Sequence, residues 1–180
     1  IHLGVTRAGA IAGHASSAGC LALAAALNMR PDLFAAAVLE APFVDLVGGT
    51  GAVTAAGRAL AGSHLLTQHE LDEWGDPWQQ PGAAQATVEL CPYSNLQVGQ
   101  HFPAVLITAA LQDARVPFWM PLKYVAKLRA LRQATADSSG SDGGGGGVTG
   151  AAPPVLLQFA EEGGHFSMGA SGCSLQDVAL

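Results

Sequence analysis

Apolar residues fall in short, strand-length runs separated by longer stretches in which apolar and polar positions mix. Ala10–Ala15, Ala35–Leu39, Val105–Ala109 and Val155–Phe159 are the runs, and their lack of alternation predicts strands buried on both faces. Between them, Ala18–Met29 is rich in alanine and leucine and reads as a helix stopped by Arg30-Pro31. Leu66–Trp74 predicts a second helix, with Thr67 as N-cap and Glu70 three residues on, the capping-box spacing. Pro117–Leu131 predicts a third, and the Lys and Arg of its last turns complement the helix dipole. Strands alternating with helices in this way predict an α/β layer structure around a mostly parallel sheet.

One segment breaks the pattern. From Gln133 to Pro154 there is no large apolar side chain, and five glycines run in succession. Such a stretch cannot repay the entropy of ordering it, so 133–154 reads as a flexible Gly/Ser-rich insertion within a single domain over 1–180.

Composition narrows the field. Eight Lys and Arg against fourteen Asp and Glu leave a net charge of −6, which excludes a basic nucleic-acid footprint. Apolar residues make up 49% and charged ones 12%, the balance of a chain with a core rather than a disordered one. No apolar stretch approaches the roughly 18–20 residues of a membrane span. Cys20, Cys91 and Cys173 are odd in number and lack C-x-x-C spacing, so no metal site, cofactor or disulfide framework is expected. Unpaired thiols lean towards a reducing, cytoplasmic setting, although an absent N-terminus would also remove an organelle-targeting leader. The chain opens on Ile1 rather than Met, and it is therefore expected to be a piece of something longer.

The candidate chemistry begins where the first run enters Gly13-His14-Ala15-Ser16-Ser17-Ala18-Gly19 and then a helix. A strand, a sharp turn and a helix form the setting of a nucleophile elbow, which lifts a strained serine above the sheet. Ser17 has small residues two before and two after it, Ala15 and Gly19, where strand and helix must pass closely, whereas Ser16 lacks a glycine in that place. Taken alone, a serine capping a helix explains the segment equally well. The order of later residues separates the two. In an α/β hydrolase, serine, acid and histidine follow one another along the chain, each after a strand. Asp113 follows the third run, and His165 follows the fourth behind Gly163-Gly164, which allow the loop to bend. His14 lies on the elbow strand, His64 and His69 in a polar helix approach, and His101 ahead of a strand, so none has that context.

Ser17-Ala18-Gly19 through Asn28, Arg30-Pro31-Asp32-Leu33-Phe34 and Pro42-Phe43-Val44-Asp45 resemble the prolyl oligopeptidase family of serine peptidases. Glu70-Leu71-Asp72-Glu73-Trp74-Gly75-Asp76-Pro77, Pro92-Tyr93-Ser94-Asn95 and Pro121 through Arg129 resemble its oligopeptidase B branch. The resemblance implies an α/β-hydrolase fold, here the C-terminal part of the catalytic domain, with earlier strands, a tyrosine oxyanion donor and a β-propeller upstream of Ile1. It implies Ser17 as nucleophile, His165 as general base, Asp113 as its orienting carboxylate and the Ala18 N–H as an oxyanion donor. It also implies that Glu70 and Asp72 form an acidic pocket for a Lys or Arg side chain, and that Arg115 holds a substrate carbonyl. Asp72 stands where the family pattern has Glu, and Cys20 where it has a second glycine. By themselves Glu70–Glu73 would read as a solvated acidic helix face. The expected activity is hydrolysis of short peptides after Arg or Lys. The alternatives are post-proline or esterase specificity on the same triad, or an inactive fragment whose elbow strand has a bare edge.

Overall fold

The computed structural model describes residues 1–49, 80–139, 152–165 and 167–168. Four parallel strands form its sheet in the order β1 (Ile11–Ser16), β2 (Phe34–Glu40), β3 (Ala104–Ala110) and β4 (Val155–Ala160). All four runs seen in the sequence are therefore strands, each within a residue or so of its expected ends. Among the described residues β1 and β4 are the edges of this sheet.

Register decides which side chains meet. Ala15, Leu39, Ile107 and Leu157 form one row across the sheet, and Gly13, Ala37, Val105 and Val155 the next. These share a face, because alternate residues of a strand point the same way. Helix α1 (Gly19–Met29) packs on β1 and β2. The long helix α4 (Trp119–Ser139) packs on β3 and β4. Leu27, Leu39, Ile107, Met120, Tyr124 and Leu128 meet in the resulting core. At about 1.5–3 kcal/mol for each large apolar side chain removed from water, that cluster is the chief source of the fold's stability. The strand–helix approach is closest at Gly13, where an added Cβ would lie 2.7 Å from Leu23 Cδ1.

Two short helices are not evident in the apolar pattern. After β2 the chain turns into α2 (Leu46–Gly49), which packs against α3 (Ala83–Leu90). Asn95 Nδ2 donates to the carbonyl oxygens of Val88, Glu89 and Cys91, each at 2.9 Å, and so covers the carbonyls at the end of α3.

The expected insertion is corrected at both of its ends. Residues 133–139 continue α4, with Thr135 Oγ1 donating to Leu131 O and Gln133 Nε2 to Asp137 Oδ1. Residues 152–154 already approach β4, where Val105 N–H donates to Pro154 O. The glycine run itself, and the helix expected over 66–74, lie outside the described residues.

Candidate active site

At the C-terminal end of β1 the backbone makes one residue of left-handed turn. Ser17 has φ +53°, a region that costs an L-residue about 1–2 kcal/mol. Neighbouring contacts hold it there: Ser17 N–H donates to Glu40 O at 2.8 Å, and its carbonyl accepts from Cys20 N–H at 3.1 Å and Phe43 N–H at 3.2 Å. Ala41, at the end of β2, has φ +42° and donates its N–H to Thr108 O. Two adjacent strands thus end in strained turns that brace one another. An added Cβ at Gly19 would lie 4.0 Å from that of Ala15, an ordinary contact, so the tight crossing is at Gly13 rather than beside the serine.

The other two residues arrive on the loops after β3 and β4. Asp113 is anchored at the start of α4's approach: its Oδ1 accepts from Arg115 N–H at 2.8 Å and Val116 N–H at 2.9 Å. His165 sits between two short antiparallel strands, β5 (Gly163–Gly164) and β6 (Ser167–Met168). Gly163 takes φ +97°, so the bend expected of the glycine pair is made at its first residue.

These three meet. His165 Nε2 lies 2.8 Å from Ser17 Oγ, and His165 Nδ1 lies 2.8 Å from Asp113 Oδ2. The side chains of His165 and Asp113 are only 4% and 2% exposed. With Asp113 ionised and accepting from Nδ1–H, the imidazole tautomer has Nε2 as the acceptor for the Ser17 hydroxyl proton. That arrangement can raise the nucleophilicity of an otherwise weak hydroxyl. Ser17, the serine favoured over Ser16 by its small neighbours, is the one that has this contact.

The other candidates are placed as follows. Ala18 is the N-cap of α1, with its N–H one residue beyond the serine. Arg115 is exposed, and its backbone supports Asp113. Glu70 and Asp72 lie outside the described residues. His14 is on β1, with Nε2 3.4 Å from Glu40 Oε1. Cys20 is fully buried in the core, and burial pushes its thiol up to about 12, so it is a packing residue with little thiolate character.

One contact set escapes sequence reasoning altogether. Asp45, 2% exposed, forms an ion pair with Lys123 of α4. Its only signals in the sequence are the motif Pro42-Phe43-Val44-Asp45 and a lysine at the start of Lys123-Tyr124, and nothing links the two.

Comparison with known proteins matches residues 2–139 to the model of the prolyl oligopeptidase family. The dipeptidyl aminopeptidase BI of Pseudoxanthomonas mexicana is 36% identical over 121 residues, covering 67% of this chain and 15% of its own. The prolyl endopeptidase-like protein of Gallus gallus is 34% identical over 152 residues, covering 84% of this chain and 18% of its own. Among solved structures, oligopeptidase B from Leishmania major superposes with a TM-score of 0.69 at 31% identity, over 92% of this chain and 19% of that one. The chain therefore spans less than a fifth of the length of these relatives. Its parallel sheet, flanking helices and family match make the fold that of an α/β hydrolase, and the chain belongs to the prolyl oligopeptidase family of serine peptidases.

Proposed function

We propose that this chain carries the catalytic residues of a serine oligopeptidase that cleaves short peptides after Arg or Lys. The observation behind the reading is the unbroken contact from Ser17 Oγ through His165 to Asp113, with the serine on a left-handed turn between β1 and α1. In this mechanism Ser17 Oγ attacks the scissile carbonyl carbon while its proton passes to His165 Nε2. The imidazolium is held by Asp113 and returns the proton to the leaving amine, which breaks the peptide bond and leaves an acyl-enzyme. Water repeats the sequence and releases the acid. The Ala18 N–H would face the developing oxyanion, a donor worth about 3–4 kcal/mol of barrier.

Glu70 and Asp72 would supply the preference for a basic side chain, since a carboxylate pair can take guanidinium bidentately, and Arg115 would hold a substrate carbonyl. An oligopeptidase B structure stands among the neighbours, and it is the resemblance to that branch that implies this specificity. Relatives named prolyl endopeptidase-like fit the alternative, cleavage set by proline.

Two measurements on the full-length protein test the proposal. Ser17→Ala should lower turnover of an arginyl peptide by a factor on the order of 10⁶ while the protein stays folded. Normal turnover in that variant would refute the nucleophile. A Glu70→Gln, Asp72→Asn double variant should lose discrimination between arginyl and prolyl substrates, and unchanged selectivity would remove the acidic pocket.

A further inference from the structure

Behind the strained serine lies a second buried charge that the mechanism above does not use. Asp45 closes the turn that follows β2, and two adjacent residues of that turn are pinned from either side. Phe43 N–H donates to Ser17 O, and Tyr93 N–H donates to Val44 O at 2.9 Å. The carboxylate then gathers donors from three elements. Oδ1 accepts from Gly48 N–H of α2 at 3.0 Å and faces the Cys91 thiol, just past α3, at 3.6 Å. Oδ2 pairs with Lys123 of α4.

Lys123 is itself held. Its Nζ stands 4.3 Å from the ring centre of Tyr93 and 5.1 Å from that of Trp119. Lys127, one turn further along, donates to Tyr93 O and covers the same ring at 4.6 Å. A cation over aromatic faces, paired with a carboxylate that is 2% exposed, has a narrow choice of positions. Gly48 records the same constraint from the other side. A Cβ there would collide with the Asp45 carboxylate, its Cγ lying 2.9 Å away, so the space is kept open for that group.

The arrangement joins the two halves of the site. Helix α4 starts six positions after Asp113 and carries Lys123, while the turn of residues 41–45 carries the N–H that holds Ser17 O. We propose that the Asp45–Lys123 ion pair is a positioning element for Ser17: it locks the turn behind the nucleophile to the helix that follows the acid. The strained conformation of Ser17 and its distance to His165 are then maintained from behind. The inference rests on the reading of Ser17 as nucleophile.

A fluorophosphonate reagent on the full-length protein tests it. In labelling, the Ser17 Oγ–P bond forms, the P–F bond breaks, fluoride leaves and the proton passes to His165. The Asp45→Asn, Lys123→Met double variant leaves no unpaired buried charge, and Asn can still accept from Gly48 N–H. It should melt close to the native protein yet label about tenfold more slowly, with kcat for a peptide reduced alike and KM unchanged. The two single changes should not add, since they break one interaction. Asp45→Asn alone, which keeps an acceptor for Gly48 N–H and leaves the partly exposed Lys123 over its aromatic rings, is the second measurement should the double variant melt early, with the same direction expected. Labelling within twofold of native in a folded variant overturns the positioning role while leaving Ser17 as nucleophile. A native protein that does not label at Ser17, or a Ser17→Ala variant that still labels, overturns both.

Discussion

On its hydroxyl side Ser17 meets His165, backed by an Asp113 side chain that is 2% exposed; on its backbone side it meets a turn ending in Asp45, whose side chain is just as buried. The two aspartates differ in what they hold. Asp113 faces an imidazole, a group whose charge changes as it takes and returns a proton. Its second oxygen is satisfied by two backbone N–H groups, so the carboxylate keeps its orientation throughout. Asp45 faces the ammonium of Lys123, which takes no part in the proposed proton transfer and is wedged over two aromatic rings. Under the two proposals equal burial serves unlike ends: one carboxylate would stabilise a charge that comes and goes, and the other would fix a backbone.

Charge removal should separate the two sites by orders of magnitude. Asp113→Asn leaves the geometry in place but favours the wrong imidazole tautomer, so peptide turnover should fall by about 10⁴-fold, with melting little changed. The comparison fails if steady-state kinetics give a loss no greater than that of the Asp45→Asn, Lys123→Met variant, expected near tenfold.

The smallest effect concerns Cys20, three residues after Ser17 on the same turn into α1. Ser17 has a base within reach, whereas the Cys20 thiol is buried against Glu40 O at 3.6 Å. Burial raises its pKa to about 12, so alkylation of the native protein near pH 8 should be undetectable on the timescale of serine labelling. The linkage has a definite sign. Above about pH 9 the unfolded chain loses the thiol proton while the folded chain keeps it to about 12. Unfolding then releases a proton, and stability is lost progressively across that window as pH rises. Denaturant melts of native and Cys20→Ala proteins should show a pH slope there that is shallower in the variant.

Much of the fold is legible in the sequence. The four apolar runs are strands, but the expected burial on both faces fails at β1, where Gly13 and Ala15 face α1 while Ala12, His14 and Ser16 between them are exposed. The order of Ser17, Asp113 and His165 is legible because each follows such a run. Helix α3 is not, since Ala83–Leu90 is only eight residues long and buries none of its large apolar side chains: Thr87 is its one buried residue, and Asn95 covers its last carbonyls. The end of α4 is hidden for the opposite reason. Gln133–Ser139 is too polar to announce a packed helix, and it extends one already nucleated by the core-facing turns before it.

Local composition thus determined which segments become strands and helices and which residue types stand at the strand ends, because burial periodicity and turn chemistry act over a few residues. Tertiary structure alone decided that Ser17 meets a histidine 148 positions away, that this histidine meets an aspartate 52 positions before it, and that Asp45 meets Lys123. Those pairings depend on strand order and register, which bring the C-terminal ends of β1, β2, β3 and β4 side by side. Register is a property of the whole sheet, set by how its rows of side chains fill one core against α1 and α4, and no local stretch of sequence carries it.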